Sequence, residues 1–363
     1  MHIGTRKPGY RCEKSFIDCW DLDKVENVEK YRGKVKVKEV FSTKYLGEVI
    51  CCDGTNTENV AARVKRGFGT VKDILNMLDR MCLGPFMFQK AVVLRDSMLV
   101  GTLLSCSEAW YNITEKELVQ FEQVDKSLWC NLLEVARTVP YDLICLELGL
   151  EPIRFIIMRR RLIYLQHIMK QKESSLIKNF FLTQMKSVKK KDWGKTIIED
   201  LKHLEVNISY KEIEHIPIET YKTLIKRKIK YMSLKYLLNK RNNRNGKGME
   251  LSYEQLKMQN YLLSEDIDIS NEDRKYIFQL RSKMCFSIKT HFRNMHTNVT
   301  CGGCKTEKST TKHTLECSSL LGSNELVTYI PNIEDLYGDN EDEQVYIARI
   351  LKDNIRRLPN MDI

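Results

Sequence analysis

Residues 141–169 read YDLICLELGLEPIRFIIMRRRLIYLQHIM, and their punctuation decides the fold class. A short apolar helix stops at Gly149, which tolerates the left-handed turn that closes a helix. Pro152 then sits where a first turn has no backbone N–H to lose, so a second, longer helix starts there. Upstream, Thr114 and Glu117 form a capping box, with Leu118, Phe121, Leu128 and Leu132 as the buried stripe behind it. Phe86 to Ser105 is apolar on several sides and predicts a central helix. From Thr57 to Leu78, Val60, Val64, Val71, Ile74, Leu75 and Leu78 fall on one helical face while Arg63, Lys65, Arg66 and Lys72 fall elsewhere. That helix should carry a basic outer side and end at Leu83-Gly84-Pro85. Gly67 and Gly69 within it cost helix propensity, so a bend or a close backbone approach is expected there. The first 53 residues alternate instead: KVKVKEV (34–40) and FSTKYLGEVICC (41–52) read as two strands, the second closed by Asp53-Gly54.

Downstream of residue 170 the pattern stays helical and turns basic. A Lys186 to Lys191 run precedes Asp192-Trp193, Ser209 and Glu212 make a second capping box, and Tyr221 to Lys240 predicts a basic helix with Leu224, Ile225, Tyr231, Leu234 and Leu238 inside. RNNRNGKG (241–248) reads as a linker, followed by helices near 253–263 and 271–292. The charge is uneven. Residues 151–250 hold 24 basic and 10 acidic side chains, whereas 318–363 hold 4 and 9. A basic field of that size favours polyanions, although lysine-rich helices also arise simply as soluble faces. The 363 residues, 42% hydrophobic and 29% charged, exclude a disordered tail, a collagen or a disulfide miniprotein. The longest nearly apolar stretch, 98–106, is far short of the roughly 20 residues of a membrane helix. No apolar leader follows Met1, so an intracellular protein, nuclear or cytoplasmic, is expected.

Nine of the twelve cysteines are scattered, but Cys301, Cys304 and Cys317 cluster with His313 as C-x2-C-x8-H-x3-C. Two thiolates two residues apart grip one ion from a tight turn, and residues four apart share a helical face. Four soft ligands without a carboxylate suit one closed structural zinc; the rival reading is free thiols, and His296 is a spare imidazole nearby.

Single residues divide between core and contact. Trp110 and Tyr111 could stack on a base, but an aromatic pair between apolar helices belongs more often to a core. Trp193, beside the lysine run with Lys190, is the better stacking candidate. Arg159, Arg160 and Arg161 step by about 100° each, so at most two can reach one phosphate track. Glu147 and Glu151 read as cap or ion-pair partners of Arg154. Lys222, Lys226 and Lys230 lie one turn apart and form a stripe beside Arg227, suited to a phosphate backbone.

Taken in order, KYLG (44–47), ICCDGTNTENVAARVKRGFG (50–69), SEAWYN (107–112), LELGLEPI (146–153), RRRLIYLQHI (159–168), KKDW (190–193), FQLRSKM (278–284) and the cysteine/histidine cluster resemble the C-terminal part of reverse transcriptases of non-LTR retrotransposons. The resemblance covers about residues 1–317. It implies a palm remnant at 1–54, a thumb-like helical bundle at 55–170, a basic helical region at 171–295, a CCHC zinc knuckle at 296–320 and an acidic tail at 321–363. It implies a mainly α fold that binds an RNA template or RNA–DNA hybrid beside the palm and fingers portion of the polymerase, through Arg63, Lys65, Arg66, Lys190, Trp193, Lys222, Lys226, Arg227 and Lys230. The adjacent aspartate pair that would hold two catalytic metal ions is absent from these 363 residues, so the chain alone should not copy nucleic acid. The rival is a free-standing zinc-containing interaction protein derived from such an element, binding a partner through its acidic tail.

Overall fold

The computed structural model describes residues 16–17, 35–36, 42–45, 48–51, 55–81, 83–111, 113–186, 192–244, 253–263, 269–282, 304, 333–338 and 340–356. Over these the fold is mainly α, as expected. Helix α1 (Thr57–Met81) buries Val60, Val71, Ile74 and Leu78. Its Gly67 answers the expectation of close approach. A Cβ there would stand 2.6 Å from Leu103 Cδ2 and 2.9 Å from Val124 Cγ1, so only glycine lets the neighbouring helices seat. Gly69 faces open space.

The expected central helix is one rod in three parts: α2 (Met87–Leu94), a π-helical turn (Arg95–Leu99) and α3 (Val100–Leu104). The wider turn brings both Arg95 and Leu99 to the interior. Helix α4 (Glu115–Leu132) starts behind both halves of the Thr114/Glu117 capping box. Pro140 caps α5 (Tyr141–Leu148), Gly149 closes it at φ 64°, and Pro152 caps α6 (Ile153–Met169). The quoted stretch thus folds as its punctuation predicts. There follow α7 (Leu176–Lys186), α8 (Trp193–His203), α9 (Tyr210–Ile213) behind the Ser209/Glu212 box, and α10 (Ile218–Arg244).

Several expectations change. Helix α10 runs through Arg241 to Arg244, so the first half of the expected linker is helix. Tyr231 lies exposed rather than inside, because the buried side of α10 is set by Tyr221, Ile225, Ile229 and Met232. Where a helix was expected over 253–263, only α11 (Asn260–Leu263) is helical. The residues before it pair with α5 instead: Met258 bridges Leu148, and the Gln259 N–H donates to the Glu147 carbonyl at 2.9 Å. A Cβ on Gly149 would lie 2.3 Å from this backbone, a contact no other residue permits. Helix α12 (Asn271–Arg281) begins at a third capping box, Ser270/Asp273. The acidic tail also packs, since α13 (Glu341–Arg356) lies on α12 and buries Val345, Ile347, Ala348 and Leu351. At the N-terminus β1 (Phe16–Ile17) pairs with β2 (Val35–Lys36). The stretch read as one strand is a hairpin of β3 (Ser42–Tyr45) and β4 (Glu48–Cys51), with Tyr45 opposite Glu48.

Two apolar cores result. The larger gathers α1 to α5, the start of α6, the end of α10 at Leu237, and α11 to α13. The smaller holds Leu162, Leu165, Ile168 and Met169 of α6 with α7, α8, α9 and the first half of α10. Residues on either side of position 170 therefore share one core. No helix among the described residues is long and apolar enough to cross a membrane.

Candidate nucleic-acid interface

Ion pairs buried between helices decide which basic residues are left for a ligand. Arg95 grips Asp125 with two bonds of 2.9 and 2.7 Å, while the Tyr141 hydroxyl donates to the same carboxylate at 2.6 Å. Arg161 holds Asp200 at 2.7 and 2.9 Å and donates to the Trp110 carbonyl. Burial pushes the Asp200 carboxyl up against the pull of that guanidinium. Arg281 spans both oxygens of Glu147 at 3.1 Å, and the hydroxyls of Tyr253 and Tyr261 donate to them as well. Each pair joins elements distant in sequence, so all three serve the fold. Arg154 pairs with Glu115 and with Glu122 at 3.0 Å, rather than with Glu147 or Glu151 as expected.

Arg63 is a correction. It is buried at 1% exposure and donates to Asn59, to the Thr102 and Leu103 carbonyls and to Ser105 Oγ at 2.6 Å. Its guanidinium also lies over the Trp110 ring, 5.2 Å from the centroid. Burial, with Arg66 nearby, pushes its pKa down to about 10. The side chain answers the carbonyls at the end of α3, a demand that a helical wheel of α1 cannot display. Lys65 and Arg66 remain on the exposed side of α1.

Trp193 is a second correction. Its Nε1 donates to the Glu108 carbonyl at 2.7 Å, and its ring meets Tyr164 and Phe181 edge-on. Those contacts hold α8 to the loop before α4 and leave the ring half-buried, with its N–H already used. Trp110 is core, stacked on Phe121 at 5.7 Å, as the commoner reading holds. Lys190 lies outside the described residues. So do Cys301, His313 and Cys317, while Cys304 is half-buried.

The α10 cations behave as their spacing predicts. Tyr221, Ile225 and Ile229 turn into the smaller core, and Lys226, Arg227 and Lys230 stand exposed on other sides. Lys222 is half-buried and pairs with Glu219 at 3.0 Å, so part of its charge is already answered. Across from this face, α6 presents Arg159 and Arg160. With Arg161 drawn into its pair, two of the three arginines reach the same space, the limit set by the helical step. A cleft of about 480 Å³ is lined by these two arginines together with Lys226 and Lys230. Arg159 is partly neutralised by Glu151 at 3.0 Å, whose carboxyl burial pushes up. Arg160 donates to the Leu104 carbonyl, and burial with Arg159 beside it lowers its pKa. The sequence reading had these arginines and these lysines as separate features. What joins them is the packing of α6 on α10, which no local pattern announces.

Comparison with known proteins adds nothing to this geometry: no family model, no curated protein and no solved structure matches the chain.

Proposed function

We propose that the chain holds nucleic acid by its backbone, as the thumb-like C-terminal portion of a non-LTR retrotransposon reverse transcriptase. The observation that carries this reading is the exposed cation row of α10. Lys226, Arg227 and Lys230 have no carboxylate within ion-pair distance among the described residues, while the opposite side of the same helix is fixed in a core. Cations held rigidly and left unanswered attract phosphate without reading bases, as sliding along an RNA template or an RNA–DNA hybrid requires. Lys65 and Arg66 on α1 extend the exposed basic surface. Without an adjacent aspartate pair the chain contributes grip and not phosphoryl chemistry, which falls to a palm and fingers portion as partner. One structural zinc on Cys301, Cys304, His313 and Cys317 belongs to the same reading.

The test is fluorescence anisotropy on several unrelated RNA sequences over a range of salt, comparing the native chain with Lys222→Gln, Lys226→Gln and Lys230→Gln combined. Lys222 is shared with Glu219, so about two phosphates are released. The salt slope should fall by about 1.4 to 1.8 units, with affinity lost about equally for every sequence. An unchanged slope and affinity would make this helix ordinary solvated surface.

A further inference from the structure

The cleft between α6 and α10 differs from the rest of the basic surface in shape. A nucleic-acid backbone asks for cations spread along a row. Here Arg159 and Arg160 from one helix and Lys226 and Lys230 from another surround a single space of about 480 Å³. That volume falls in the range of small-ligand pockets, about 300–1,000 Å³. Five cations and two carboxylates line it. Arg95 is taken up by Asp125 and Arg159 by Glu151, so Arg160, Lys226 and Lys230 remain without a carboxylate. Lys226 and Lys230 are unanswered, Arg160 is held by the Leu104 carbonyl and drawn only electrostatically by Glu108, and all three line one cleft, which matches phosphates gathered in one place.

The remaining lining is aliphatic. Val92, Val100, Leu150, Ile156, Ile229 and Leu256 offer apolar contact to the face of a base. In the wall, Glu151 Oε1 and Arg159 Nε are enclosed and have no hydrogen-bond partner. The idle Nε of the half-exposed Arg159 is a donor that a bound anion could answer, whereas the Glu151 carboxylate opposes an anion here.

We propose that the cleft seats the polyphosphate of a nucleotide, taken either as a free nucleoside triphosphate or as the 5′-triphosphate end of an RNA. The inference deepens the backbone-binding reading, with which it shares Lys226 and Lys230. The anion sits between helices that serve two cores, so its binding ties those cores together and raises the thermal midpoint of the full chain.

The experiment is calorimetric titration of the full chain, without magnesium, with guanosine triphosphate, orthophosphate and two RNAs of one sequence ending in 5′-triphosphate or 5′-hydroxyl. The triphosphate should bind at least about 10-fold more tightly than orthophosphate, since each added charge-assisted bond is worth about a factor of ten. Arg160→Gln, and separately the exposed Lys226→Gln, should each cost about 10-fold in triphosphate affinity. Arg160→Gln should leave the hydroxyl-ended RNA within twofold, and Glu151→Gln, which removes a negative charge, should tighten the triphosphate severalfold. A preference for the triphosphate-ended RNA assigns the seat to an RNA end, and equal RNA affinities with tight guanosine triphosphate assign it to the free nucleotide. If the triphosphate binds no better than orthophosphate, or Arg160→Gln weakens both RNAs alike, the seat is refuted while backbone binding stands. Failure of the hydroxyl-ended RNA to bind would instead remove the backbone reading, leaving the triphosphate result to decide the seat.

Discussion

Replacing Glu147 by glutamine should cost the fold about 2–4 kcal/mol, although the two side chains have the same shape. Glu147 has no exposed surface and is the only carboxylate that Arg281 meets within ion-pair distance among the described residues. Arg281 is itself 2% exposed, and its Nη1 donates to the Leu336 carbonyl at 2.8 Å. Removing one partner of a buried pair leaves an uncompensated charge, at about 3–5 kcal/mol. The glutamine oxygen can still accept from Tyr253 or Tyr261, which offsets roughly 1 kcal/mol. Guanidinium denaturation followed by far-ultraviolet circular dichroism, with Arg281→Met and the double variant completing a cycle, measures the balance. The double variant should lose less than the sum of the two single losses by about 1–3 kcal/mol, because it leaves no orphan charge. A Glu147→Gln loss below about 0.5 kcal/mol, or an additive cycle, would refute the reasoning that this carboxylate holds Tyr253, Tyr261 and Arg281 to α5.

The two glycines of α1 should part company. Gly67→Ala should destabilise by about 1–3 kcal/mol because its methyl meets Leu103 and Val124, whereas Gly69→Ala, with open space around it, should stabilise by up to about 1 kcal/mol; thermal midpoints of the two variants decide. The Arg154 hydrogen bond holds the Glu115 carboxyl below its ordinary range. Its contribution is therefore present above the unfolded glutamate pKa, about 4.3, and lost as pH falls through the lower folded value. Glu115→Gln should lower stability modestly at pH 7, where the contribution is fully present, and converge on the native chain below the folded value, flattening the acid side of the profile; denaturation midpoints against pH read both ends, and an equal loss at every pH would refute the assignment. Elemental analysis of purified protein should give one zinc per chain, and Cys304→Ser should lose it; equal metal in both would place the metal elsewhere.

Local signals survived the comparison of sequence with structure. The caps at Thr114 and Ser209, the Gly149 stop and the Pro152 start depend on neighbours within four residues, and each stands where it was read. The limit on Arg159 to Arg161 also held, since it rests only on helical geometry. What was illegible depends on partners far along the chain. Arg63 looked like one more surface cation until the carbonyls 39 and 40 residues away were in place. Glu147 looked like a cap because its partners lie 106 to 134 residues downstream. The helix expected over 253–263 yielded to pairing with α5, a tertiary demand stronger than local propensity. The cleft was hidden for the same reason, because its walls come from segments that no window of sequence contains together.

Helices α6 and α10 each begin in one core and end in the other, which bears on how this chain can be cut or recombined. A break at residue 170, where composition changes, would strip Leu162, Leu165, Ile168 and Met169 of the surfaces that cover them. A break at 241 would leave Leu237 and its partners half-housed. Neither half is a module that could be inherited or shuffled alone. Since α11 to α13 close the larger core as well, change at these joints must come by substitution within a chain that keeps α1 to α13 together.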